Sequence, residues 1–266
     1  MNIYKGFTVL VILFLVSCKS EFEMLRTSNQ PEKVYKAANK YYDNKEYDRA
    51  VALYDVVIQF YRGRKEAEDL FYKYAYAHYH LGDYILASTY FKNFANTFGN
   101  SPNKQEAEYM AAYSNYRLSP NFKLDQSYTE KAIEAFEQYI NAYPDTERAQ
   151  EATRLIDEMR RKLEQKSFEQ GNLYYKMGQF QAAVTAFQNT LKDFPESKKA
   201  EEIRYLTIKS SHTLAENSVV EKKEERYNQC IEFARAFQKK YPKSKWNSDV
   251  KKIIQDSTSE LNKIKK

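Results

Sequence analysis

Gly171 to Pro195 reads GNLYYKMGQFQAAVTAFQNTLKDFP, and its spacing describes two short helices joined by a tight turn. Gly171 and Tyr174 lie on the first helix. The turn falls at Lys176 to Gln179, where Gly178 can take a left-handed conformation at little cost. Ala183 and Phe187 lie on the second helix, which must stop before Pro195, because proline cannot continue a helix. Gly171 and Ala183 are small, so the two helices can approach closely. One such hairpin cannot bury its own apolar face, and a chain that uses it needs more copies.

The copies are found by arithmetic. The position of Ala183 recurs at Ala50, Ala87, Ala132 and Cys230. Four residues on stand Tyr54, Phe91, Phe136 and Phe187, with Ala234 in the fifth copy. Twelve residues on stand Arg62, Gly99, Pro144, Pro195 and Pro242, each predicting a helix end. The first helices align independently. Tyr35, Asn39 and Tyr42 share a frame with Tyr72, Tyr76 and Tyr79, and with Tyr109, Tyr113 and Tyr116. The frame continues through Phe168, Asn172 and Tyr175 to Tyr205, Lys209 and His212. Both alignments give five copies. A Gly, Tyr, Ala, Phe and Pro spacing at this period resembles the tetratricopeptide (TPR) pattern. The expected fold is all-α: a solenoid of five helical hairpins with a C-terminal capping helix.

Three interruptions are expected. The stretch Leu118 to Ser127 (LSPNFKLDQS) is an insertion between the helices of the third copy, and Glu216 to Glu224 lengthens the fifth. Between them, Asp145 to Ser167 (DTERAQEATRLIDEMRRKLEQKS) contains no Gly or Pro and predicts one long helix from near Thr146 to Lys176. Residues 31–145 therefore hold copies one to three. Residues 146–266 hold the linking helix, copies four and five, and the cap. In that cap Val250, Ile253, Ile254, Leu261 and Ile264 recur at helical spacing, the covering that a solenoid end requires.

The chain starts with a targeting segment. Lys5 precedes an apolar run, Phe7 to Val16, that is too short to span a bilayer comfortably. It ends in Leu15-Val16-Ser17-Cys18, which resembles a bacterial lipobox. Residues 1–17 then form a signal peptide, and Cys18 becomes a triacylated first residue in a short tether over residues 18–30. Three acyl chains suffice for stable anchoring. Two cysteines remain too few for a structural disulfide, because Cys18 is lipidated and Cys230 occupies a core position.

Composition narrows the function. The net charge of +6 is dispersed, which gives no nucleic-acid footprint. No phosphate loop, zinc spacing or nucleophile–base arrangement stands out, so the reading is a non-enzyme without metal or cofactor. The informative feature is the use of 24 tyrosines. Tyr35, Asn39, Tyr42, Tyr72, Tyr76, Tyr79, Tyr109, Tyr113 and Tyr116 recur at i, i+4 and i+7, so they share one helix face. They are candidates for a groove that receives an extended peptide or partner loop. The competing reading is that the rings pack between helices, since tyrosine has a large apolar body.

Lipobox, five TPR-like copies and copy ends reading Tyr143-Pro144-Asp145-Thr146, Phe194-Pro195-Glu196-Ser197 and Tyr241-Pro242-Lys243-Ser244 together resemble the BamD family. The local match is strongest over Leu163 to Ala183, where Tyr174-Tyr175-Lys176 and Gly178 fit a family motif. The resemblance implies a lipoprotein on the periplasmic face of the outer membrane. It implies binding to a BamA-type β-barrel insertase, to other subunits of the assembly machinery, and to C-terminal segments of unfolded barrel precursors. The alternative is another periplasmic TPR lipoprotein scaffold, serving cell-wall synthesis, division or polysaccharide secretion. The first two copies end without proline, a departure from the family pattern.

Overall fold

The computed structural model describes residues 21–265, so the signal segment and Cys18 lie outside the described residues. Among the described residues there are twelve α-helices and no strand. A short helix α1 (Glu21–Arg26) precedes three hairpins: α2 (Pro31–Asp43) with α3 (Tyr47–Tyr61), α4 (Ala67–Leu81) with α5 (Tyr84–Thr97), and α6 (Lys104–Leu118) with α7 (Ser127–Ala142). The long helix α8 (Glu147–Lys176) leads into α9 (Phe180–Asp193). A fifth hairpin, α10 (Ala200–Glu216) and α11 (Val220–Lys240), is followed by α12 (Asn247–Ile264). The chain forms two compact units. One holds the described residues up to 120 together with 127–156, and the other holds 121–126 and the residues from 157 on. The division falls inside α8.

The hairpin turns follow from the backbone. The helix before each turn must leave α-geometry within a residue or two, and a left-handed residue does this. Gly82 (φ 83°) and Gly178 (φ 73°) occupy that position in the second and fourth hairpins. In the first, Lys45 takes it at φ 64°, an uncommon conformation for a residue with a Cβ.

The recurring small and aromatic positions form the core. Ala50, Tyr54, Ala87, Phe91, Ala132 and Phe136 are fully buried in the first unit, and Ala183, Phe187, Cys230 and Ala234 in the second. Burying a phenyl ring of this kind stabilises by about 2–3 kcal/mol. The facing helices supply Ala38, Ala75 and Ala112, also fully buried. In the fourth hairpin that position is Gly171. A Cβ there would meet Phe187 Cδ1 and Cε1 at 2.5 Å. The close approach of α8 and α9 expected from the small residues Gly171 and Ala183 is seen where Gly171 meets the Phe187 ring, one turn beyond the buried Ala183.

The interruptions resolve differently. Residues 119–126 form a loop between α6 and α7, as expected. Its backbone is held by Gln126, whose Nε2 donates to the Asn121 and Leu124 carbonyls at 2.9 and 3.0 Å. Lys166 Nζ of α8 donates to Leu124 O at 2.7 Å. In the fifth hairpin only residues 217–219 are non-helical, and the extra length extends α11 to 21 residues. Residues Glu21–Arg26, within the stretch expected to be a polar tether, form α1. Leu25 is buried in the first hairpin's core, and Phe22 meets the Tyr41 ring at 5.9 Å. At the other end, α12 buries Val250, Ile253 and Leu261, and Trp246 stacks on Tyr205 at 5.0 Å.

Candidate binding surface

The tyrosine frame lies along α2, α4 and α6, all in the first unit. A 37-residue offset brings equivalent positions of successive hairpins side by side. Tyr35, Tyr42, Tyr72, Tyr76, Tyr79, Tyr113 and Tyr116 are half-buried, and Asn39 is half-buried with them. Tyr109 is 1 % exposed and belongs to the core, against Phe136 and Tyr139, both at 5.6 Å.

Neighbouring rings touch within and between hairpins. Tyr72 meets Tyr76 at 5.0 Å and lies over Phe94 at 5.1 Å. Tyr79 meets Tyr113 at 6.3 Å, and Tyr113 meets Tyr116 at 5.5 Å. Tyr42 packs on Tyr47 at 5.6 Å, and Tyr47 stacks on His80 at 4.5 Å. The frame is thus a continuous strip of partly exposed rings whose lower edges rest on the second helices. Each half-buried ring packs against its hairpin and keeps part of its surface exposed.

The polar ends of the strip link one hairpin to the next. Tyr35 donates to Asp69 Oδ2 at 2.7 Å, and Tyr76 donates to Glu106 Oε1 at 3.2 Å. Arg117 donates to the Tyr79 hydroxyl at 3.2 Å. Arg148, from the start of α8, donates to both Glu106 oxygens at 2.8 and 3.2 Å and lies 4.3 Å over the Tyr109 ring. Asn39 Oδ1 accepts from Tyr54 at 2.7 Å, so part of its amide serves its own hairpin.

A phenol is protonated at neutral pH, and burial raises the hydroxyls of Tyr35, Tyr42, Tyr72, Tyr76 and Tyr79 further. Burial pushes Tyr42 up to about 12, with Tyr47 and Tyr72 adding to it. Burial, together with Asp69, outweighs the Asn39 hydrogen bond and places Tyr35 at about 12. Tyr76 is raised by burial and by its contacts with Tyr72 and Glu106. At neutral pH the strip is therefore a set of neutral rings and hydroxyl donors, bordered by paired charges. Such rings offer large contact area with few rotors to freeze. The surface suits recognition of an apolar or aromatic segment.

Asp69, Glu106, Arg117, Arg148, Tyr47 and His80 complete the surface, and none was a candidate from sequence. A signal for two of them was present: Glu32, Asp69 and Glu106 stand 37 residues apart, each three before a frame tyrosine. Arg148 carried no such signal, because it comes from the linking helix outside the repeat frame. A cleft of about 540 Å³ between α5, α6 and α7, lined by Lys92, Asn93, Asn115 and Glu134 among others, includes no residue of the strip. No group of three or more His, Cys, Asp or Glu among the described residues is placed to hold a metal ion. Cys230 is fully buried, and burial pushes its thiol up to about 11.

The sequence matches the family described as YfiO, outer membrane lipoprotein, over residues 27–225 and again over 174–264. It is 25% identical over 182 residues to "Outer membrane protein assembly factor BamD" of Caulobacter vibrioides, covering 68% of this chain and 56% of that relative. The chain thus spans just over half the length of that relative. It is 22% identical over 258 residues to the protein of the same name in Rickettsia prowazekii, covering 96% of this chain and 99% of the relative. Among solved structures it is similar to the TPR2AB domain of yeast Sti1 in its pHSP90 complex, at 14% identity and a TM-score of 0.39, covering 86% and 98% of the two chains. The two family matches together run from residue 27 to residue 264, and the chain belongs to the BamD (YfiO) family of outer-membrane lipoproteins.

Proposed function

We propose that this chain is a lipid-anchored, non-catalytic adaptor of outer-membrane protein assembly, held on the periplasmic face through Cys18. In this reading the tyrosine strip of α2, α4 and α6 receives an extended segment of a partner, such as the C-terminal segment of an unfolded barrel precursor. A BamA-type insertase and other assembly subunits are its stable partners. The observation that carries the reading is the family match over nearly the whole chain, with relatives named outer-membrane assembly factors. The continuous aromatic strip supports the peptide-binding part, because half-buried neutral rings with hydroxyl donors suit aromatic, extended ligands.

The test is affinity purification from mildly solubilised native membranes through a C-terminal tag, with co-purifying proteins identified by mass. Recovery of a large β-barrel protein with repeated periplasmic domains is the expected result. Recovery of cell-wall synthases or secretion components instead would overturn the assembly role and leave a TPR lipoprotein scaffold.

A further inference from the structure

The start of α1 marks one edge of the first unit. Phe22 sits against Tyr41, two residues before the end of α2, and Arg49 of the first turn of α3 lies 5.8 Å over the Phe22 ring. The chain therefore enters the unit at the hairpin-turn end and runs back along α2 to Pro31. Cys18 precedes Glu21 by three residues, a reach of at most about 11 Å. The acyl anchor of the proposed function is confined to this edge and kept from the opposite one.

The same edge carries exposed apolar side chains. Leu81 at the end of α4 and Ile85 and Leu86 at the start of α5 are 41%, 55% and 43% exposed. They flank the Gly82 turn. Tyr47 and Tyr84 stand beside them, and the turn ends of the hairpins adjoin: Tyr47 stacks on His80, and Arg117 lies 4.6 Å over the Tyr84 ring. The opposite edge also exposes an apolar ring, Phe60 at 38%, but Arg64 lies 3.6 Å over it. Its connection after α3 reads Arg62-Gly63-Arg64-Lys65-Glu66, wholly exposed.

We infer that the hairpin-turn edge of the first unit lies on the lipid surface, with Leu81, Ile85 and Leu86 inserted at the headgroup boundary. The inference rests on the Cys18 anchor of the proposed function. Apolar side chains with tyrosines beside them are the composition of a membrane–water interface. The charges of this edge are of both signs: Lys45, Arg49 and Arg117 stand with Asp43, Glu46 and Asp83, and Arg49 pairs with Glu46 at 2.9 Å. Insertion is therefore apolar in origin and insensitive to salt.

The test uses the full lipidated chain in phosphatidylethanolamine–phosphatidylglycerol liposomes, with nitroxide probes at Ile85→Cys or, as a control, Lys65→Cys. Buried Cys230 and acylated Cys18 leave the introduced thiol as the reactive one. The expected result is a rise in oxygen over water-soluble nickel-complex collisions at position 85 and none at position 65, unchanged at high salt. An acylated chain with equal, aqueous accessibility at both positions overturns the placement alone. So does shielding of position 85 from both relaxers, the mark of a protein contact. A chain whose intact mass lacks the acyl groups overturns the anchor and the placement together.

Discussion

The Phe187 ring lies so close to Gly171 that a Cβ added there would stand 2.5 Å from two ring carbons. The two residues come from the two helices of one hairpin, so their contact sets how near α8 and α9 approach. Gly171→Val is expected to destabilise the protein by about 1–3 kcal/mol through overpacking. Gly171→Ala should cost less, because alanine gains about 1 kcal/mol of helix propensity. Denaturant titration checks both, and Phe187→Leu in the Gly171→Val background should recover part of the loss. Additivity of the two changes would show that the contact does not couple them.

Lys45 holds a left-handed turn position that Gly82 and Gly178 hold elsewhere. A non-glycine residue there costs about 1–2 kcal/mol. Lys45→Gly should therefore raise stability by up to about 1 kcal/mol, against the usual direction of mutation, whereas Gly82→Ala should lower it. Thermal melts of the two variants give the signs directly.

Arg148 ties α8 to α6 through Glu106 and also pairs with Glu151 at 3.0 Å. The Arg148 and Glu106 side chains are 41% and 30% exposed, so the pair is screened and Arg148→Met should cost only about 1 kcal/mol. The pH dependence is more telling. Burial would raise the Glu151 carboxyl, but the Tyr109 hydroxyl and Arg148 beside it hold it below its ordinary value of 4.5. A depressed carboxyl contributes stability that is present above pH 4.5 and is lost as pH falls through the lowered value. Arg148→Met should flatten that acid-side loss and leave the stability slope above pH 6 unchanged, as pH-dependent denaturation would show.

Tyr76 separates packing from recognition. Its ring lies 4.8 Å from Phe91, and its hydroxyl donates to Glu106. Tyr76→Phe should cost about 1 kcal/mol, and Tyr76→Ala about 2 kcal/mol for a half-buried ring. If the strip receives peptides, Tyr76→Ala and Tyr113→Ala should weaken capture of an aromatic-ended peptide while the far-ultraviolet spectrum stays helical. Full capture by folded variants would remove the strip from the binding reaction.

Cys230 is fully buried with its thiol raised to about 11, so it is neutral at pH 8. It should resist alkylation in the folded chain and react after denaturation. Reaction at the rate of a free thiol under native conditions would contradict its core placement.

The sequence by itself determined the repeat and its core. Ala50, Phe91, Ala132 and Phe187 could be placed from spacing, because a hairpin has few positions where two helices can meet and those positions admit few residue types. It also determined the long helix Glu147–Lys176, whose first part runs to Ser167 without Gly or Pro and whose Gly171 is a close-packing position rather than a break. Tertiary structure decided what spacing does not encode. Tyr109 went to the core while Tyr76, on the same face, stayed half-exposed, because Phe136 and Tyr139 close over Tyr109 and Arg148 covers its ring. Arg148 reaches the strip from outside the repeat period, and α1 folds back on the first hairpin through Phe22 and Leu25. Both are contacts between elements of different period, whose partners are selected by packing and charge in three dimensions and not by local sequence.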